Sequence, residues 1–306
     1  MAEIISHRVQ ATGTEKLRGH LAMIIFAALI AGSFSLGRLA LPYVDPAPLN
    51  AARYLIAVAI LGGYTFGLRR HKLVWPVASW RYAILGGLMA FYFVSMFVAL
   101  TMTSPISTSA VFTLTPLMTA VFGLLIVGQT FGLLVVLSLI IAAAGSIWVV
   151  FGGDIDALLG FKIGQGEMIF FAGCVAHAIF APLLRKFNRG ETQAYATFFI
   201  LFGTGAWITL YGLPGILSTN WLALPLLVWA VIGYLAIFTG VVTFMLLQYA
   251  SLRLPSAKVL SYGYLVPSFV IIYEGLSGNG WVTASVAAGA LVTALGLVVL
   301  YFAPDQ

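Results

Sequence analysis

The feature that most constrains this chain is a series of long, nearly uninterrupted apolar runs, of which residues 133–151 are one example. A helix needs about 20 apolar residues to cross the hydrocarbon core of a bilayer, and these runs have that length. Strands of a membrane barrel would instead alternate polar and apolar residues in segments of about ten. Because a backbone in lipid must satisfy its own hydrogen bonds, we predict an all-α polytopic membrane protein.

Composition excludes a water-soluble domain. Hydrophobic residues make up 61% of the 306 residues and charged residues only 8%, whereas soluble domains have roughly 45–50% and about 25%. The formal net charge is +6, but the basic residues stand between apolar runs. We therefore assign them to membrane topology and expect the lipid bilayer and a small-molecule substrate as partners, with no nucleic acid.

The runs predict ten transmembrane helices, which we number as spans one to ten. Their predicted bounds are 20–41, 47–68, 81–101, 104–127, 131–151, 164–184, 194–213, 224–248, 255–275 and 281–303. The first 19 residues are polar and predict a cytoplasmic tail. No small-residue cleavage site follows the first run, so we expect span one to be retained.

Basic residues segregate strongly between the two sides of these spans. With the N-terminus inside, the only basic residue of the outer loops is Lys162. The inner segments hold Arg8, Lys16, Arg18, Arg69, Arg70, Lys72, Arg81, Arg185, Lys186, Arg189 and Arg253. This bias predicts that both termini are cytoplasmic and favours an even number of spans.

Weak internal matches divide the chain into two halves. An offset of 145 pairs Met23 with Met168, and an offset of 151 pairs Pro116 with Pro267. We predict a first five-helix repeat at 20–151, an external linker at 152–163 and a second repeat at 164–306. Five is an odd number of spans, so the repeats must be inverted, which is a frequent architecture of secondary transporters.

Three features carry a resemblance to a known family. They are the ten-span pattern, the residues Asn-Ala-Ala-Arg-Tyr at 50–54, and the proline-centred, small-residue spans four and nine. The chain thereby resembles the EamA branch of the drug/metabolite transporter (DMT) superfamily, and within it bacterial aromatic amino acid exporters of the YddG type. The resemblance implies an inner-membrane exporter with a cavity walled by spans one to four and six to nine, and amino acids, including aromatic ones, as substrates.

Pro116 and Pro267 lie at matching positions in the middle of spans four and nine. Each removes a backbone donor and frees a carbonyl one turn earlier, at Phe112 and Gly263. The result is either a static kink or a hinge that bends during alternating access, and we predict hinges.

Polar and aromatic residues within the spans are candidates for lining a substrate cavity. His177 is ionisable near mid-span, and Lys258 either attracts a substrate carboxylate or extends to the headgroups. The full predicted set is Tyr92, Ser95, Thr108, Phe112, Thr115, His177, Tyr234, Lys258, Ser261, Tyr262 and Tyr264. Arg38 and Arg53 were expected near the outer ends of spans one and two, reaching headgroups or pairing with Asp45, Glu167 or Glu274.

Two other function classes remain as alternatives. One is a channel for small solutes. The other is a membrane-embedded serine hydrolase, because Gly-Leu-Ser-Gly at 275–278 resembles the motif of rhomboid proteases and His177 could be its base. The string lies in a connection after a span, where glycine and serine are ordinary turn residues. With a single cysteine, Cys174, and no metal-binding motif, we predict a non-enzymatic carrier with no cofactor or metal. It is either a monomer or a homodimer.

The charge bias generates a topology prediction. Connections at about 41–47, 152–163 and 214–223 should face outward, and a reporter fused near residue 188 should be active only on the cytoplasmic side. Alkaline phosphatase and fluorescent-protein fusions at that position measure the two sides. Outward activity there would contradict the ten-span topology.

Overall fold

A computed structural model describes residues 13–68, 74–251, 253–254, 259 and 261–301 of the chain. The described residues form helices joined by turns and contain no strand. Eight of their helices are long and apolar enough to cross a membrane, and Ala284–Val299 is a shorter apolar helix. The predicted fold class, an all-α polytopic membrane protein, is therefore confirmed.

The helices follow the predicted spans closely. Spans one to eight correspond to Gly13–Ala40, Pro46–Leu68, Trp80–Met102, Pro105–Val127, Leu133–Val150, Gln165–Phe187, Gln193–Ser218 and Leu226–Ser251. Span ten is Ala284–Tyr301, and the described part of span nine comprises a 3-10 turn, Tyr262–Leu265, and the helix Val266–Leu276. Short helices Ile155–Leu159 and Trp221–Ala223 lie in two of the connections.

Spans four and nine are each interrupted at equivalent points. Span four ends its first segment at Phe112 and begins its second at Thr115, while span nine changes from a 3-10 turn to an α-helix at Val266. Pro116 and Pro267 are each the second residue of the new segment. The backbone N–H groups in the first turn of a helix have no acceptor within that helix. A proline there, which has no N–H, therefore costs the helix no hydrogen bond.

The helix contacts are related by exchange of the two halves. Span three packs on spans six and seven, and span eight packs on spans one and two. Span four packs on span six as span nine packs on span one, while spans two and seven, and spans five and ten, pair with each other. This pattern is what two related five-helix units would produce, although the predicted unit boundaries stay a prediction.

Spans five and ten approach each other so closely that only small residues fit between them. A Cβ added at Gly145 would lie 2.6 Å from the carbonyl oxygen of Gly289, and one at Gly296 would lie 2.7 Å from Cβ of Ala142. Ser146 of span five hydrogen-bonds Thr113, which lies in the break of span four. Spans five and ten thus form a close-packed pair to which the broken span is attached.

The two ends of the bundle differ in packing. We call the end that holds Gly13 and the connections 74–79 and 188–192 the basic end, and the end that holds the connections 41–45, 151–164 and 277–283 the opposite end. The main hydrophobic core lies toward the opposite end, with Phe34, Phe97 and Phe170 fully buried. At the basic end, side chains fill less of the space between the helices, which surround a cavity.

The close contact between spans five and ten generates a stability prediction. Gly145→Ala should destabilise the protein by about 1–3 kcal/mol, because the added methyl group overpacks against backbone atoms. Gly233→Ala is the matched control: its Cβ would meet no atom within 4 Å, so the variant should be neutral or more stable by about 0.4–1 kcal/mol. Thermal unfolding in detergent measures both, and equal midpoints would contradict the contact.

Candidate functional site

A cavity of about 660 Å³ lies between the helices and opens at the basic end. Its walls come from spans one, two, three, six, seven and eight. They include apolar and aromatic side chains such as Phe26, Tyr54, Phe93, Phe180 and Phe244. Charged residues lining it are Arg53, Arg81, Arg185 and Glu191, so three arginines face one glutamate and the formal charge is +2.

Arg53 is the deepest of these charged residues. It is 4% exposed, and its Cζ atom lies 4.4 Å from the ring centroid of Phe93, 5.0 Å from that of Tyr54 and 5.9 Å from that of Phe97. Such contacts stabilise a desolvated cation by about 2 kcal/mol. The described residues provide it with no carboxylate, and its Nη1 atom is buried without a hydrogen-bond partner there.

Arg81, at the mouth of the cavity, is fully bonded. Its Nη2 atom donates to Oε1 of Glu191 at 2.7 Å and to the carbonyl oxygen of Val77 at 2.8 Å, and Nη1 donates to the carbonyl of Phe187. Burial alone would raise the pKa of Glu191, but hydrogen bonds from Arg81 and from the backbone N–H of Arg189 outweigh it and lower that pKa. This ion pair fastens span three to the 188–192 connection.

A second ion pair at the basic end joins spans one and eight. Glu15 accepts from Nε of Arg253 at 2.9 Å and from Arg18 at 2.5 Å. The guanidinium of Arg253 also lies 3.6 Å from the ring centroid of Tyr249. The Arg81–Glu191 and Arg253–Glu15 salt bridges therefore both tie together segments at the basic end.

An aromatic plug lies between the cavity and the opposite end of the bundle. It consists of Phe34, Tyr92, Phe112, Phe170 and His177. The ring of Tyr92 lies 4.6 Å from that of His177 and 5.6 Å from that of Phe170, and Phe34 lies 6.1 Å from Phe112. Three of its members belong to the predicted set, and the structure brings them together as packing that closes the cavity.

The predicted hydroxyl residues bond mainly to backbone carbonyls. Ser95 donates to Phe91 at 2.6 Å, Thr108 to Ser104 at 2.8 Å, and Tyr234 to Leu29 of span one at 2.9 Å. All three side chains are thereby satisfied without a ligand. Back-bonding of this kind is common for hydroxyl residues within helices.

The other described members of the set also lie away from the cavity. Tyr262 hydrogen-bonds Nδ1 of His20 at 2.5 Å, and Tyr264 packs against Ala142 in a cluster with span five. Ser261 and Thr115 are buried. Lys258 lies outside the described residues, so its role stays a prediction.

None of the described members of the predicted set lines the cavity. Tyr92 and Tyr234 each directly precede a lining residue, Phe93 and Leu235. The described lining of this cavity contains no residue of spans four and nine. The predicted cavity set and the place of these two spans in the cavity wall stay predictions. A β-branched or hydroxyl face does not by itself identify which face of a buried helix borders a void.

Arg53 is the main residue that sequence reasoning missed. We expected it to reach the outer headgroups or pair with an acidic residue, and it does neither, because it points among aromatic rings. The available signal was its position in the 50–54 motif beside Tyr54. Arg38, in contrast, is exposed as expected.

The acidic residues expected as gate partners bond elsewhere. Glu167 accepts from Ser107 at 2.7 Å and from Thr103, and Glu274 accepts from Asn279 at 2.9 Å. Both carboxylates lie at the opposite end and are 7% exposed. Among the described residues neither forms a salt bridge with an arginine.

The structure does not assemble the hydrolase alternative. Ser277 lies in an exposed turn after the helix Val266–Leu276, whereas His177 packs in the aromatic plug. Within the described part of the chain, no group of three or more histidine, cysteine or acidic side chains could hold a metal ion.

Comparison with known proteins gives a consistent result. Residues 17–151 match the EamA-like transporter family. The Bacillus subtilis (strain 168) protein named "Uncharacterized transporter YyaM" is 25% identical over 286 residues, which cover 91% of this chain and 92% of the relative.

The fold also matches a solved structure, titled "Crystal structure of protein". It superposes with a TM-score of 0.65 at 21% identity, over 94% of this chain and 96% of that one. At this identity the likeness shows the fold alone. Together with the EamA-like first half and the transporter relative, the comparisons point to a membrane transporter of small solutes and not to an enzyme.

Proposed function

We propose that this protein is a secondary transporter that moves small amphipathic metabolites across a bacterial inner membrane by alternating access. The observation that carries the proposal is a cavity of about 660 Å³ that is open at the basic end and closed at the other by the aromatic plug. With the basic end cytoplasmic, as the charge bias predicts, this is an inward-open carrier.

The cavity suits a solute with an apolar part and a few polar groups. Ligand sites typically have volumes of about 300–1,000 Å³, with apolar walls and a small number of orienting groups. Here rings such as Phe93 and Phe180 supply the walls, and the lining carries a formal charge of +2. Amino acids, including aromatic ones, fit these properties and are the class that the family resemblance implies, with export as the direction.

A channel is the second candidate function. It would need a continuous path, whereas the plug and the core behind it fill the opposite half of the bundle. Carriers saturate and show counterflow, because the site faces one side at a time. The carrier proposal therefore makes a kinetic prediction.

Proteoliposomes containing the purified protein should take up labelled phenylalanine or tryptophan saturably, and unlabelled amino acid inside should accelerate that uptake. A panel of amino acids and nucleosides, with and without a proton gradient, measures both substrate class and coupling. Linear uptake without counterflow would favour the channel. Absence of uptake for every member of the panel would overturn the proposed function.

The two broken spans provide a means of opening. Pro116 and Pro267 begin helix segments at equivalent positions. Thr113 beside the first break hydrogen-bonds Ser146 of span five, and Tyr264 beside the second packs on the same span. We propose that the segments bend at these prolines while the pair of spans five and ten stays fixed.

Pro116→Ala and Pro267→Ala should slow transport more than they weaken substrate binding. Each change restores an N–H that can bond the carbonyl one turn earlier, which favours a continuous and stiffer helix. Pro214→Ala is the matched control, because Pro214 lies inside the unbroken helix of span seven on an exposed face. Turnover and binding measured separately test this, and unchanged turnover in both hinge variants would show that opening occurs elsewhere.

A further inference from the structure

Among the described residues, the most unusual charged group is Arg53, the eighth residue of span two. Its side chain is almost fully buried, and aromatic rings, not carboxylates, surround its guanidinium. Tyr54 is a polar neighbour, but Nη1 has no partner among the described residues. A guanidinium carries five N–H donors, so this one keeps unused hydrogen-bonding capacity in a buried place.

Comparison with Arg81 shows that the fold can satisfy a buried arginine when the role is structural. Arg81 is 3% exposed and bonds Glu191 together with the carbonyl oxygens of Val77, Ala78 and Phe187. Arg53 has a similar exposure without any such set of acceptors. The two arginines therefore differ in their hydrogen-bond partners and not in their solvent exposure.

An unpaired buried charge is costly in any protein, and within a bilayer it usually faces a cavity or a pathway. Arg53 lines the cavity together with Tyr54 and Phe93. It lies near the end of the cavity that the aromatic plug closes. The plug residue Tyr92 directly precedes the lining residue Phe93 along span three. Arg53 thus borders the part of the cavity where a solute entering from the basic end would come to rest.

We propose that Arg53 binds the carboxylate of the transported solute and that Tyr54 and Phe93 contact the solute's apolar part. A planar guanidinium forms two parallel hydrogen bonds with a carboxylate, which would supply the partner that the described residues do not provide. This inference rests on the proposed function and adds its substrate class: a small aromatic or apolar carboxylate, including zwitterionic amino acids. Neutral analogues of the same shape would lose the principal polar contact.

Arg189 provides a matched control. It carries the same charge, but its side chain is exposed and it is not among the residues that line the cavity. Charges in water are screened over about 10 Å at moderate salt. Arg189→Gln should therefore change affinity by less than about twofold to threefold.

The test measures binding to the purified protein, so that it does not depend on transport. Phenylacetate and its neutral isostere phenylacetamide, with phenylalanine and phenylalaninamide, are titrated into the wild type, Arg53→Gln, Arg53→Lys and Arg189→Gln. We expect Arg53→Gln to weaken binding of the carboxylates by about tenfold to hundredfold and to leave the amides unchanged. Arg53→Lys should recover part of the loss, because it keeps the charge without the planar fork.

Several outcomes would overturn the inference. They are equal wild-type affinity for acids and amides, parallel losses of both in Arg53→Gln, and wild-type binding of phenylphosphonate but not of phenylacetate. Wild-type protein that binds none of these probes would overturn it as well. Carboxylate binding that depends on Arg53 without any vesicle uptake would instead leave the inference standing and remove the proposed function.

Thermal unfolding separates binding from a structural role. In the absence of ligand, Arg53→Met should unfold at the same temperature as the wild type or higher, because an unpaired buried charge has been replaced by an apolar side chain of similar length. Phenylacetate should stabilise the wild type but not the variant. A clear fall in the midpoint without ligand, or failure of the variant to fold, would assign Arg53 to the fold and contradict the proposal.

Discussion

The structure depends above all on the lack of water inside a bilayer. Each backbone N–H and C=O of a span must be bonded within the protein, which forces the chain into helices. The same constraint acts on side chains. Ser95, Thr108 and Thr204 each donate to a carbonyl one turn earlier in their own helix, so these hydroxyl groups are bonded within the protein.

This explains which parts of the molecule could be predicted. Span number, span bounds and the breaks at Pro116 and Pro267 depend on apolar length and backbone chemistry, which are local properties of the sequence. The cavity depends on helical phase and on which helix pairs separate, which are not local. Phe93 lines the cavity whereas Tyr92 packs behind it, and no periodicity in span three distinguishes the two neighbours.

Local irregularity in span eight was also beyond sequence reasoning. Residues Ile237–Val242 form a π-helical turn beside the cavity. Thr239 and Gly240 in this turn line the void. A π-turn adds one residue to a helical turn and is frequent at functional sites, but its sequence here is an ordinary apolar stretch.

The helix contacts are equivalent in the two halves, but the cavity is not symmetric. The contacts exchange between halves, yet the void opens at one end only, because the core containing Phe34, Phe97 and Phe170 fills the other. A pair of inverted units can resolve this difference by exchanging conformations, which would open the opposite end. Spans five and ten, in contact at Gly145 and Gly289, have little room to change, so relative motion falls to the helices around the cavity.

Arg53 lies where these arguments meet. Arg53 is the only charged residue of span two, and a buried guanidinium there opposes the solvation rule that shapes the rest of the bundle. The rings of Tyr54, Phe93 and Phe97 hold the cation in place through their faces but leave its charge unneutralised. A carboxylate at this position would have produced a stable internal ion pair, as Glu191 does with Arg81. Its absence from the described surroundings keeps the cation available, and local violations of this kind are expected at functional sites.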